Sequence, residues 1–174
     1  MHDRAGRRRV VVTGMGLVSP HGRDVGRAFG DLLEGKSRIR LHGVGDAPHS
    51  VTIPSATCDD FDAAALAGRG RTTTSDRVSQ LAVVAALAAW EDAGLADLAE
   101  APREQSCVML GTSVGGAQTS EKGYRDLFLR NRTRISPLTL VQCMNNAPAA
   151  HVAQVLGLGG ACLTYSMACA SAAT

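Results

Sequence analysis

A chain of 174 residues is long enough to bury one core, and 45% hydrophobic with 20% charged residues is the balance of a globular protein in water. The formal net charge of +2 is too small to mark a nucleic-acid binder, and neither an apolar run of about 18 residues nor a signal-like leader points to a membrane or to export. The five cysteines, at 58, 107, 143, 162 and 169, form no C-x-x-C pair and no zinc spacing with histidine, which favours a reducing, cytoplasmic setting without a metal framework. With only three Phe, two Tyr and one Trp, the core must be built from Ala, Val, Leu and Gly, which suits helices packed on a sheet. Four arginines within residues 4–9 and four within 125–134 are placed to attract an acidic protein partner, although a solvated surface is the plainer reading.

In chain order, residues 1–7 read as a flexible basic lead-in and 8–13 as a buried strand, since Val10-Val11-Val12 is a continuous β-branched run. Gly14-Met15-Gly16 follows as in a dinucleotide fingerprint, but Pro20-His21-Gly22 breaks the helix that should open there, so no nucleotide site is expected. The spacing of Val25, Phe29, Leu32 and Leu33 predicts a helix over 24–34 with one apolar face, stopped by Gly35. Residues 36–70 read as loop around a short strand at 51–53, and Asp59, Asp60 and Asp62 as a solvated acidic cluster.

Ser75 or Asp76 caps the strongest helix, which runs to about residue 93 before Gly94 and is apolar almost all round over 81–90. A second buried strand is predicted over 106–110, with the glycine-rich turn Gly111-Thr112-Ser113-Val114-Gly115-Gly116 at its carboxyl end. In an open α/β sheet that end is where ligands bind, though the glycines equally permit a tight turn. An exposed amphipathic helix over 119–130 follows, then a helical region opened by Pro137 and continuing over 141–156 despite Pro148, with His151 as a packing residue. Gly157-Leu158-Gly159-Gly160 ends it.

The last stretch carries the chemistry. Leu163-Thr164-Tyr165 reads as a buried strand that turns abruptly, through small residues, into a helix beginning near Cys169. Taken alone, a cysteine in an Ala-rich chain is a small buried apolar side chain. At the first turn of a helix, however, free N–H groups favour the thiolate, and Ala168 and Ala170 leave room for a carbonyl to approach.

Met167-Ala168-Cys169-Ala170-Ser171-Ala172 resembles the nucleophile elbow of the β-ketoacyl-acyl-carrier-protein synthases, of the free-standing elongating type. Val10-Val11-Val12-Thr13-Gly14-Met15-Gly16-Leu17-Val18-Ser19-Pro20, Ala93-Gly94-Leu95, the turn 111–116, Ile135-Ser136-Pro137 and Gly157-Leu158-Gly159-Gly160 resemble further landmarks of that family in the same order. The similarity covers nearly all of the chain after Arg7.

This resemblance implies an α/β thiolase-like fold, layered α-β-α-β-α, of which residues 8–174 would supply about the first half. It implies Cys169 as the nucleophile that becomes acylated, with its backbone N–H in the oxyanion hole. Val114 matches a position lining the acyl tunnel, and Leu138 and Thr139 match a region bordering the partner subunit's tunnel. The family's two catalytic histidines, supporting lysine and glycine-rich loop belong to the second half, and none of His2, His21, His42, His49 and His151 matches them. These residues by themselves are therefore expected to lack condensing activity and to expose faces that a second half should cover.

No cofactor of its own is implied; substrates arrive on the phosphopantetheine of acyl carrier protein, and a homodimer or a heterodimer with a ketosynthase-like subunit is expected. Met167 stands where a small hydroxyl residue is common and Ala161 where Pro is usual, which leaves acyl specificity open. Two alternatives remain at this point: a non-catalytic chain-length subunit, against which Cys169 argues, and a thiolase-type acyl transferase without decarboxylation.

Overall fold

The computed structural model describes residue 4 and residues 6–45 and 48–173, so most of the expected lead-in over 1–7 lies outside the described residues. The elements are α1 (Val25–Leu33), β1 (Arg40–Val44), β2 (Val51–Ser55), α2 (Ala63–Ala67), α3 (Arg69–Thr72), α4 (Arg77–Asp92), α5 (Glu100–Gln105) and β3 (Val108–Gly111). There follow α6 (Ala117–Tyr124), a π-helical turn (Arg125–Leu129), α7 (Leu138–Cys143), α8 (Ala147–Leu156), β4 (Cys162–Tyr165) and a 3-10 helix (Ala168–Ala173).

Local chemistry accounts for most boundaries. Asp24 and Asp76 are N-caps whose carboxylates accept from the N–H groups of Arg27 and Val78, using donors that the first helical turn leaves unpaired. Gly35, Gly94 and Gly157 sit at positive φ just past helix ends, where a residue with a Cβ is strained. The helix expected over 141–156 is two helices, because Met144 adopts an extended conformation and the chain restarts with Pro148 in the first turn of α8. Proline is tolerated there, since its missing N–H would have had no intrahelical acceptor.

β3 and β4 form a parallel pair in the register Val108 to Cys162 and Gly111 to Tyr165. α8 lies over them and α4 packs on α8, and the core gathers Ala67, Val83, Val84, Val108, Ala149, Val152 and Leu156. Fully burying a valine side chain such as Val83 is worth about 1.5–3 kcal/mol, so this contact between the long central helix and α8 anchors the sheet. Arg103 ties α5 to it, donating to the carbonyls of Leu98, Ala96 and Leu156 and lying over the Trp90 ring.

Three expectations are corrected. Residues 8–13 form no strand: Val10 is 95% exposed, and among the described residues no strand pairs with the Val10-Val11-Val12 run, so its β-propensity has no pleated surface to fit. The helix expected over 24–34 is present as α1 with its apolar stripe, whose Phe29, Leu32 and Leu33 are exposed while Ala28 and Asp31 are buried. The region read as loop with one strand contains an antiparallel hairpin, β1 pairing with β2 from Arg40–Ser55 to Val44–Val51. The helix expected over 119–130 changes from α to π geometry after Tyr124.

Candidate active site

The parallel pairing of β3 with β4 brings two turns to the same end of the sheet. Beyond Gly111 comes the glycine-rich turn, beyond Tyr165 comes the segment that carries Cys169, and the Thr112 N–H continues the ladder by donating to the Tyr165 carbonyl at 3.0 Å. This is the carboxyl edge of the strands, the end at which ligands bind in open α/β sheets.

Cys169 is the second residue of the 3-10 helix and is exposed among the described residues. The residue before it, Ala168, has φ 49°, in the left-handed region that costs a residue with a Cβ about 1–2 kcal/mol. Such strain persists only where surrounding contacts impose it. They do so here through Ser171, whose buried hydroxyl accepts from the Met167 N–H at 2.8 Å and donates to the Ala168 carbonyl at 2.8 Å, with the Thr112 carbonyl at 3.3 Å. The Ala170 N–H donates to the Met167 carbonyl at 3.1 Å and closes the turn. Among the described residues, the Cys169 N–H has no hydrogen-bond acceptor.

A second set of contacts ties the elbow to its neighbours. The Ser166 hydroxyl accepts from Asn145 Nδ2 at 2.9 Å and faces the Ser113 carbonyl at 3.4 Å, linking β4, the α7–α8 connection and the glycine-rich turn. Ser171, Ser166 and Asn145 were not among the residues singled out by sequence. The signal for Ser171, a hydroxyl two residues after the cysteine, lay hidden in a run read as small residues that merely make space.

The other expected site residues are dispersed. Val114 lies in the glycine-rich turn and is 67% exposed. Leu138 and Thr139 open α7; Thr139 lines an apolar cleft of about 530 Å³ with Tyr124, Leu127, Ile135 and Leu140, whereas Leu138, Val114 and Cys169 do not line it. His151 directs Nδ1 to the Ala147 carbonyl at 2.9 Å, in keeping with a packing role, and His21 faces Asp31 rather than the elbow. Asp62 caps α2, and no group of acidic, Cys or His side chains among the described residues is arranged to hold a metal ion. No helix of the described residues is long and apolar enough to cross a membrane.

The family model described as β-ketoacyl synthase, N-terminal domain, matches residues 7–174. The chain is 32% identical over 163 residues to 3-oxoacyl-acyl-carrier-protein synthase 2 of Coxiella burnetii, covering 94% of this chain and 39% of that protein. It is 34% identical over 173 residues to nodulation protein E of Rhizobium meliloti, covering 95% and 40% respectively. Among solved structures, a β-ketoacyl synthase from Burkholderia phymatum superposes with a TM-score of 0.73 at 27% identity, over 94% of this chain and 40% of that one. The fold is accordingly thiolase-like, and the chain spans about two fifths of the length of these relatives. With its parallel β3–β4 pair, its glycine-rich turn and its cysteine elbow, the chain belongs to the β-ketoacyl synthase family.

Proposed function

We propose that residues 8–174 are the nucleophile-bearing half of an elongating β-ketoacyl-acyl-carrier-protein synthase, and that Cys169 carries the acyl group. The observation that carries this reading is the exposed thiol of Cys169 on a strained elbow at the carboxyl edge of β3 and β4. The relatives' name, 3-oxoacyl-acyl-carrier-protein synthase, supports acyl carrier protein as the partner that presents substrate on phosphopantetheine.

In the first stage the Cys169 thiolate attacks the acyl thioester carbon. The new S–C bond forms as the phosphopantetheine sulfur leaves as a thiolate and takes up a proton. The oxyanion that forms transiently is met by the Cys169 N–H. In the second stage a malonyl thioester loses carbon dioxide, and the resulting carbanion attacks the acyl-cysteine, releasing the Cys169 thiolate and a β-ketoacyl thioester two carbons longer. The proton-handling histidines for that stage come from the remainder of the enzyme, since no described histidine hydrogen-bonds to Cys169. Val114 is assigned to the acyl tunnel, with Leu138 and Thr139 at the neighbouring subunit's tunnel in a dimer.

The test is the intact mass of the full-length polypeptide before and after incubation with acyl-acyl-carrier protein, and separately with cerulenin. An acyl or inhibitor adduct that maps to Cys169 and is absent in Cys169→Ala is the expected result. An adduct retained by Cys169→Ala, or none at all in the folded protein, overturns the assignment.

A further inference from the structure

Resting on the reading of Cys169 as nucleophile, we infer that Ser171 is its positioning residue: the buried hydroxyl clasps both sides of the Ala168 turn and holds Cys169 in the one backbone conformation that presents its thiol and N–H together. A serine hydroxyl has one proton and two lone pairs, and the proton and one lone pair are used on the turn. The lone pair takes the Met167 N–H and the proton goes to the Ala168 carbonyl, both at 2.8 Å, so the polar groups flanking the strained residue are satisfied by one side chain.

The arrangement is anchored from outside the elbow as well. The Thr112 carbonyl lies 3.3 Å from the same hydroxyl, and a Cβ on Gly111 would collide with the backbone carbonyl of Ser171, so the end of β3 is packed directly against the clasp. Ser171 is 7% exposed and its hydroxyl is taken up by backbone groups, so it acts through Cys169 and touches no substrate. Without the hydroxyl, the Met167 N–H and the Ala168 carbonyl lose their partner, and Ala168 is free to relax toward negative φ. That relaxation swings Cys169 out of register with the carbonyl it attacks. Misplacement by about 1 Å costs on the order of 100-fold in rate.

The experiment compares Ser171→Ala, Ser171→Thr and Ser171→Val in the full-length polypeptide. Thr and Val have the same shape and differ in the hydroxyl, so this pair isolates the hydrogen bonds from the added bulk. The readouts are the kcat and KM for acylation of Cys169 by acyl-acyl-carrier protein, followed by intact mass, together with the unfolding midpoint. The expected result is a fall in acylation kcat of about tenfold or more in Ala and Val with KM little changed, and recovery in Thr to within about threefold of the parent. Equal kcat in Thr and Val, or a folded Ala variant within about twofold of the parent, overturns the proposal. Cys169→Ala separates the two questions: acylation that survives it refutes the nucleophile, whereas acylation lost in Cys169→Ala but untouched in Ser171→Ala refutes only the clasp.

Discussion

Gly16 lies so close to the backbone of Ala85 on α4 that a Cβ on Gly16 would overlap the Ala85 carbonyl and crowd the Ala89 N–H. Two residues earlier, Gly14 stands in the same relation to Ala89 and Ala93. Ala85, Ala89 and Ala93 recur every fourth residue, so they form one stripe of small side chains on the central helix, and the loop runs along it. Between the two glycines, the Met15 N–H donates to Asp92 Oδ2 at 2.9 Å. The Gly-x-Gly spacing that imitates a phosphate-binding fingerprint is therefore a packing device.

Gly16→Ala is expected to destabilise the full-length polypeptide by about 3 kcal/mol, because backbone on both sides has no room to yield. Urea unfolding of the variant checks this. A midpoint indistinguishable from the parent's would show that the loop does not rest on α4.

Asp76 joins two helices with one buried carboxylate. Oδ1 accepts from the Val78 N–H at 3.0 Å as the cap of α4, and Oδ2 accepts from the Thr119 N–H of α6 at 2.8 Å. Asp76→Ala should cost about 2–4 kcal/mol, the sum of a lost cap and a buried donor left unpaired. Asp76→Asn keeps one acceptor oxygen and should cost less, so the order parent, Asn, Ala in thermal midpoint is the check.

Among the described residues, Asp31 is the carboxylate held well below the usual range, chiefly by its hydrogen bond from Lys36 at 2.9 Å, then by Arg38 at 3.0 Å and by His21 at 3.4 Å. Lys36 is correspondingly raised, first by Glu34 and then by Asp31. A depressed carboxylate stabilises the fold above its unfolded value near pH 4, and that contribution is lost as pH falls through the acid range toward the folded value. The raised lysine acts in the opposite sense, its contribution fading as pH climbs past about 10.4. Asp31→Asn should therefore be less stable than the parent at pH 7, with the gap closing below about pH 4. A gap that stays constant down to pH 2 on equilibrium unfolding would refute it.

What the sequence determined by itself is what neighbouring residues decide among themselves. Asp76 as a cap, Gly35, Gly94 and Gly157 as stops, and the turn around Cys169 all depend on contacts within about one helical turn, so their residue types announce them. Tertiary structure decided what distant residues supply. Val10-Val11-Val12 has strand chemistry but no ladder partner among the described residues, and Phe29, Leu32 and Leu33 form an apolar face that nothing described covers. The strand at Arg40–Val44 escaped notice because an exposed two-stranded hairpin has no buried face to impose alternation. The reason for glycine at positions 14 and 16 lies on a helix some 70 residues away, and the service Ser171 gives to Cys169 depends on a side chain folding back onto backbone. The residues around Cys169 can single it out as a candidate, whereas the geometry of its turn is set only when β3, β4 and the 3-10 turn come together.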